Sequence, residues 1–392
     1  MSDHSKTFAK VLAGAILLYY AVLLGRIIVR WDYYQWDFKT FFYAGKAHAE
    51  GLDPYGLTAL AKVAGGPVRF RFIYPPVTLW VFRLFSLFFR LKVAYYVFLA
   101  LKVAALSLLL LLWKKIFLKS EAGLWFVPFA LVAFNSSIFV DLMAGNISVF
   151  EQAGLWLAFY AFLKRKYIFF SALVVGVACF KITPVFFLLL LIFARHPRKW
   201  LYLLGSLSAF AAIQGISFAT SPLFEDFLVY NRAFGRGTEN PSTYSLFVDL
   251  LAGLGARLHH PLPSILFSVV FGLFGVAVLI VGGRAVGRLF HRKEWMSEEK
   301  DRLLVFFACL TYAVLVPRFL AYSHIILIVP AYFALKRFMP ALGGGLFFIL
   351  AALQIPQQAA GPGTDWFFQT IWTYSGVIIG WALWVLYKAK MH

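Results

Sequence analysis

The sequence predicts an all-α integral membrane protein with many spans, and three observations lead there. The 392 residues are 62% hydrophobic and only 14% charged, against roughly one quarter charged in ordinary soluble domains. Apolar stretches recur from end to end, many near the length of about 17 to 25 residues that carries a helix through a hydrocarbon core of about 30 Å. An open strand edge cannot face lipid, because its backbone groups would go unpaired, so helices are the form those stretches take. No internal repeat or soluble segment interrupts them, and residues 1–392 read as one polytopic membrane domain.

The first apolar run, Val11 to Val29, is long and lacks a small-residue cleavage pattern, so it reads as a span and not as a cleaved leader. About twelve spans are expected: 8–29, 93–113, 122–140, 147–163, 167–180, 183–194, 200–219, 264–287, 302–317, 322–335, 341–355 and 367–387. Residues 75–89 are helix-like but marginal in length, and Arg83 interrupts them. Taken as a helix on the outer surface, that segment sets the side of every later loop. Lys114, Lys115 and Lys119, residues 164–166, Arg195 to Lys199, Arg284 to Arg302, Lys336-Arg337 and the Lys388/Lys390 tail then share the N-terminal side. These account for more than half of the 37 basic residues, all in short connections or tails. That is the positive-inside pattern, so both termini are expected in the cytoplasm of a multi-pass cell-membrane protein, with loops 30–92 and 220–263 outside. Cys179 and Cys309 lie inside apolar runs and suggest no disulfide framework. The formal charge of +20 has no basic soluble segment through which to serve nucleic acid, and anionic membrane lipid suits it better.

Directly after the first span, Phe38, Phe41, Phe42, Gly45 and Ala49 recur at helical spacing and Gly51 ends the run, which places Asp37 at a helix start. An Asp there reads either as an N-cap or as a site residue. Asp53-Pro54 reads as a second cap followed by Pro at the first helical position, and Tyr74-Pro75-Pro76 opens a third helix in the same way. The loop is thus a chain of short juxtamembrane helices folded back on the membrane, a shape that roofs a cavity and excludes water.

The arrangement Asp37…Phe41-Phe42-Tyr43-Ala44-Gly45…Gly51-Leu52-Asp53-Pro54-Tyr55, followed by Phe72-Ile73-Tyr74-Pro75-Pro76, resembles the first extracytoplasmic loop of glycosyltransferase family 87. These are polyprenol-phosphate-mannose-dependent mannosyltransferases and related arabinofuranosyltransferases of the GT-C architecture. Three further segments are similar to the family in the same order: Gly145-Asn146-Ile147 ahead of a helix, Gly176 to Pro184 with Lys181, and Pro317-Arg318…Tyr322-Ser323-His324. The resemblance spans roughly residues 30 to 335. The family's usual Gly-Gln-x-Asn is here Gly145-Asn146-Ile147-Ser148, without the glutamine. By position the resemblance implies a GT-C-like multi-span bundle, with Asp37 as general base and Asn146, Asp53, Tyr55 and Tyr74 as acceptor-site or structural support. It also implies a polyprenyl-phosphate-linked sugar donor, mannose or another hexose, and a lipid or glycan acceptor at the extracytoplasmic face.

A sugar on a lipid phosphate carries an activated leaving group, so the second carboxylic acid that a glycosidic oxygen needs is dispensable and one base suffices. Inversion is the expected outcome. What remains is to hold the departing phosphate with preorganised cations. Lys181, between two short apolar segments and beside Thr183-Pro184, is costly there unless it meets an anion or snorkels to water. Arg318, flanked by Pro317, suits bidentate phosphate binding; Arg69 and Arg71, just before Tyr74, are weaker candidates. His324 reads as a phosphate ligand, a proton partner or a structural residue, and Asp141 as an acceptor-orienting group or a turn cap. Asp32 and Asp37, five apart in a loop, make a poor metal site, and no metal or other cofactor is expected. The other reading of so many spans is a lipid or solute transporter or flippase, which would ordinarily show repeat symmetry or paired broken helices.

Overall fold

The structure is a computed structural model that describes residues 3–232, 237–257, 263–291, 296–338 and 373–391. Every regular element among these residues is helical. Five helices are long and apolar enough to cross a membrane: Thr7–Val29, Leu91–Glu121, Phe126–Ala144, Lys199–Thr220 and Ile265–His291. They expose large apolar side chains, among them Leu18, Val22, Leu201, Ile216, Leu273 and Val276. Water would penalise such a surface, whereas lipid covers it. The chain is a multi-pass membrane protein. The expected span 341–355 and the start of the expected span 367–387 lie outside the described residues.

The chain divides into two compact units. The first comprises Met1–Ile116 and Ile138–Ala233. Its helices are α1 (Asp3–Val29), α2 (Trp36–Ala49), α3 (Leu57–Ala64), α4 (Leu79–Phe88) and α5 (Leu91–Leu112), then the second half of α6 (Phe126–Ala144), α7 (Ser148–Leu163), α8 (Tyr167–Phe180), α9 (Lys199–Thr220) and α10 (Leu223–Arg232). A 3-10 helix, Thr183–Phe193, joins α8 to α9. At about 1.5 Å per residue α8 is about 21 Å long, and the 3-10 helix at about 2.0 Å per residue is about 22 Å. Neither matches the roughly 30 Å of a hydrocarbon core, so the expected spans 167–180 and 183–194 are short helices meeting at Lys181.

Residues 76–88 form a 3-10 turn, with Pro76 at its start as the sequence suggests, and then α4. This helix lies directly against α2. A Cβ on Gly45 would sit 2.5 Å from the backbone carbonyl of Phe82, so only glycine allows the crossing. Phe41 packs 4.8 Å from Phe82 and 5.1 Å from Tyr74, and Phe38 stacks on Phe98 of α5 at 4.3 Å. The end of α1 is tied to α5 by the Tyr95 hydroxyl, which donates to the Ile27 carbonyl at 2.6 Å. α2 is therefore held from two sides at the point where the chain leaves the first span.

The second unit comprises Phe117–Ser137 and Phe234–His392. It contains the first half of α6, α11 (Thr243–Arg257), α12 (Ser264–His291), α13 (Ser297–Leu315), α14 (Ile328–Phe338) and α15 (Ser375–Met391). α15 is fastened by Trp384, which donates to Thr311 Oγ1 at 3.0 Å, by Tyr387, which donates to the Pro330 carbonyl at 2.9 Å, and by Trp381 stacked on Phe274. Lys119 meets Glu298 at 2.5 Å, and Arg337 meets Glu299 at 3.1 Å and Glu121 at 3.7 Å. Arg302 also reaches Glu121 and donates to the Phe117 carbonyl at 3.0 Å. Three connections that the charge pattern assigns to one side thus meet through these ion pairs. Where α6 passes from one unit to the other it is broken at Ala133 to Ser136, with Phe134, Asn135 and Ser136 in the left-handed region.

Candidate active site

The site is built on the first turn of α2. The cap position is Gln35, at φ 56°, and no side chain caps the helix. Asp37 is not the N-cap that its sequence position allows. Its carboxylate is turned instead toward the chain between α6 and α7, where Asn146 Nδ2 donates to Asp37 Oδ2 at 2.8 Å. The Asn146 Oδ1 accepts from the Tyr74 hydroxyl at 3.3 Å and from Ser148 Oγ at 3.1 Å. An ionised carboxylate only accepts, so the NH₂ group faces Asp37.

Gly145 explains why this turn lies so close to α2. Its φ is +73°, a region that side-chain-bearing residues seldom enter. A Cβ there would stand 2.7 Å from Gln35 Cβ and 3.0 Å from Phe38 Cβ. The Gln35 N–H also donates to the Met143 carbonyl at 2.8 Å. Gly145→Ala is expected to destabilise the protein by about 1 to 2 kcal/mol from the backbone alone and to move Asn146 away from Asp37. Thermal unfolding in detergent checks the first effect, and the activity of the folded fraction checks the second.

Asp37 keeps some accessible surface, but enough protein surrounds it for burial to dominate its acidity. Its carboxyl is pushed up to about 6, first by that burial and further by the negative charge of Asp141. The Asn146 hydrogen bond and the charges of Lys102 and Lys181 pull in the opposite direction. Such a carboxylate is mostly ionised at neutral pH and basic enough to take a proton in a transition state.

Lys181 ends α8 and donates to Ser148 Oγ at 2.7 Å and to Glu151 at 2.5 Å, both on the first turn of α7. A run of polar contacts therefore leads from Glu151 through Lys181, Ser148 and Asn146 to Asp37. Glu151 also lines an apolar groove of about 410 Å³ with Phe82, Phe85, Phe98, Phe150 and Phe180. The site thus sets an ionisable carboxylate and a cation near an apolar groove.

Asp141 is fully buried, pairs with Lys102 at 2.6 Å, and accepts from the Ser148 N–H at 3.1 Å. Asp53 closes a local turn by accepting from the Tyr55 N–H at 2.8 Å, and α3 begins only at Leu57, so Pro54 is not its first residue. Tyr55 is buried and donates to the Tyr74 carbonyl at 2.7 Å, which bolsters the strand of chain that carries Tyr74. Arg69 and Arg71 are exposed, and Arg69 lies over the rings of Trp36 and Phe70.

Arg318 and His324 belong to the second unit. The turn beside Arg318 is clamped by buried Asn240, which accepts from the Phe319 N–H at 2.8 Å and donates to the Pro317 carbonyl at 3.0 Å. His324 is buried, stacked on Phe134 and 4.7 Å from Phe319. Sequence reasoning missed Lys102, Ser148, Glu151 and Asn240. For the first and third a signal existed, since each is a lone charge inside an apolar run.

The sequence model of glycosyltransferase family 87 matches residues 72–317, well over half of the chain. That stretch includes Tyr74, Asp141, Asn146, Ser148 and Lys181 of the site. No curated protein and no solved structure matches the chain. The chain belongs to glycosyltransferase family 87.

Proposed function

We propose that this membrane glycosyltransferase moves a hexose, mannose first among the candidates, from a polyprenyl-phosphate-linked donor to a hydroxyl of a lipid or glycan acceptor, with inversion. The observation that carries the reading is the placement of Asp37. It is a carboxylate adjusted to about 6, held by Asn146 and set beside Lys181 and an apolar groove. In the reaction, Asp37 removes the proton of the acceptor hydroxyl as its oxygen attacks the anomeric carbon. The bond from that carbon to the phosphate oxygen breaks on the opposite face, and the electron pair leaves with polyprenyl phosphate. Lys181 meets the charge that develops on the phosphate, the role in which a preorganised cation in a poorly solvated site is most effective. The groove beside Glu151 receives the start of the polyprenyl chain.

The charge pattern of the loops supports cytoplasmic termini and a site on the extracytoplasmic face of the cell membrane in a GT-C-like bundle. Arg318 and His324, which belong to the second unit, remain proposed phosphate ligands. Membership in a glycosyltransferase family sets aside the transporter reading. The test is release of polyprenyl phosphate from polyprenyl-phosphate-mannose by purified protein, with the glucosyl and pentosyl donors in parallel. Turnover of the mannosyl donor supports the reading, and turnover of none of the three sinks it. EDTA is expected to leave the rate unchanged, because the leaving charge is met by a lysine and not by a divalent cation. Loss of activity on chelation, restored by added Mg²⁺ or Mn²⁺, would contradict that part.

A further inference from the structure

A lysine in the middle of a membrane-crossing helix needs a reason. Lys102 lies on α5, fully buried, with its stem along Phe98. Its ammonium group has three protons and meets three oxygens: the Asp141 carbonyl at 2.7 Å, the Asn146 carbonyl at 2.7 Å and Asp141 Oδ2 at 2.6 Å. The two carbonyls take hydrogen bonds from it, and the carboxylate oxygen completes an ion pair. These oxygens are not scattered, since they come from the two ends of the turn between α6 and α7.

The far oxygen of Asp141 continues the staple. Asp141 Oδ1 accepts from the Ser148 N–H at 3.1 Å, which ties down one of the otherwise unpaired donors at the start of α7. Ser148 Oγ in turn holds the Asn146 amide oxygen. The backbone on both sides of Asn146 therefore hangs on the Lys102–Asp141 pair, while its side chain is also held by Tyr74 and, through Ser148, by Lys181. Neither member reaches a substrate, because both are closed off from solvent.

We propose that Lys102 is a positioning residue of the transfer reaction: with Asp141 it clamps the turn from Asp141 to Ser148 so that Asn146 is presented to the Asp37 carboxylate. The proposal rests on Asp37 being the base. Misplacing a group beside reacting atoms by about 1 Å costs about 100-fold in rate, so a clamp of this kind acts on turnover and not on donor affinity. The charged groups facing Asp37 are Lys102 and Asp141 from α5 and α6 and Lys181 from the end of α8, with Glu151 of α7 behind Lys181. Removing Lys102 takes away one of the influences that favour the ionised form and loosens the Asn146 hydrogen bond, another. The acid limb of the rate profile must then move to higher pH.

The experiment compares wild type, Lys102→Met and the double variant Lys102→Met/Asp141→Asn with polyprenyl-phosphate-mannose as donor. The double variant removes both charges at once, so that no unpaired ion is left buried. The expected result in both variants is a kcat lower by roughly 10- to 100-fold with a donor KM within about threefold of wild type. The acid limb moves upward by about one pH unit in Lys102→Met, and less in the double variant, where loss of the Asp141 charge offsets loss of the Lys102 charge. Wild-type kcat in the folded double variant would overturn the proposal. So would failure of both variants to fold, since the pair would then support the whole bundle and not one turn. No turnover by wild type would sink the donor reading and this proposal with it. Turnover by wild type with unaltered variants would overturn the positioning role alone.

Discussion

Asp37→Asn is expected to lower kcat by about 10² to 10⁴ while leaving the folded protein at least as stable as wild type. The two halves of that expectation share one cause. Burial raises the Asp37 carboxyl to about 6, which means that the ionised form present at neutral pH is disfavoured in the folded state. An unfolded Asp is already ionised near pH 4. The penalty is thus present at neutral pH, and it fades as pH falls through about 6 and the folded form takes up its proton. A neutral Asn of the same shape removes the penalty, and its Oδ1 still accepts from Asn146. Rate measured beside thermal unfolding in detergent checks the pair of effects. A variant that loses activity only because it unfolds at lower temperature would speak against a base and for a structural residue.

The second large effect is expected at Lys181. In Lys181→Met the donor KM should rise and kcat/KM should fall by roughly 10- to 100-fold, the equivalent of the 1.5 to 3 kcal/mol that a hydrogen bond to a charged group contributes. Lys181 is partnered by Glu151, whose side chain is only 4% exposed. Met at 181 would therefore leave a buried carboxylate alone, so Lys181→Met/Glu151→Gln is the cleaner comparison. Initial rates over donor and acceptor concentration decide the matter. A change confined to the acceptor KM would remove Lys181 from the phosphate.

How much of this was legible in the sequence depends on whether the cause was local. Lipid as solvent admits only helices and closed barrels, and apolar runs of about 20 residues fit helices and not barrel strands, so composition and run length sufficed for the class. α2 was also legible: the spacing of Phe38, Phe41, Phe42 and Gly45 marks its buried face, and Gly51, at φ +71°, follows its end. Local capping logic went wrong at Asp37, because the residue bonds across 109 positions to Asn146 instead of to its own first turn. The same holds for Lys102, whose partners lie 39 and 44 positions away. Periodicity shows which face of a helix is apolar, but it does not show which helices meet. A lone Lys or Glu in an apolar run announces a partner without naming it, and only packing brought Lys102 to Asp141 and Lys181 to Glu151. Glycines gave the converse lesson. Gly45 and Gly145 stand in the sequence only as positions of the family-like motifs, and each turns out to mark a close approach that builds the site.

The central claim, that Asp37 takes the acceptor proton, is tested most directly by the pH dependence of kcat/KM for polyprenyl-phosphate-sugar turnover, measured on wild type and Asp37→Asn together. The base works only when ionised, so wild-type activity should rise about tenfold per unit at low pH and level off above about 6, while Asp37→Asn should show a low rate without that limb. An Asp37→Asn enzyme that keeps the limb, or turns over at the wild-type rate, would contradict the account.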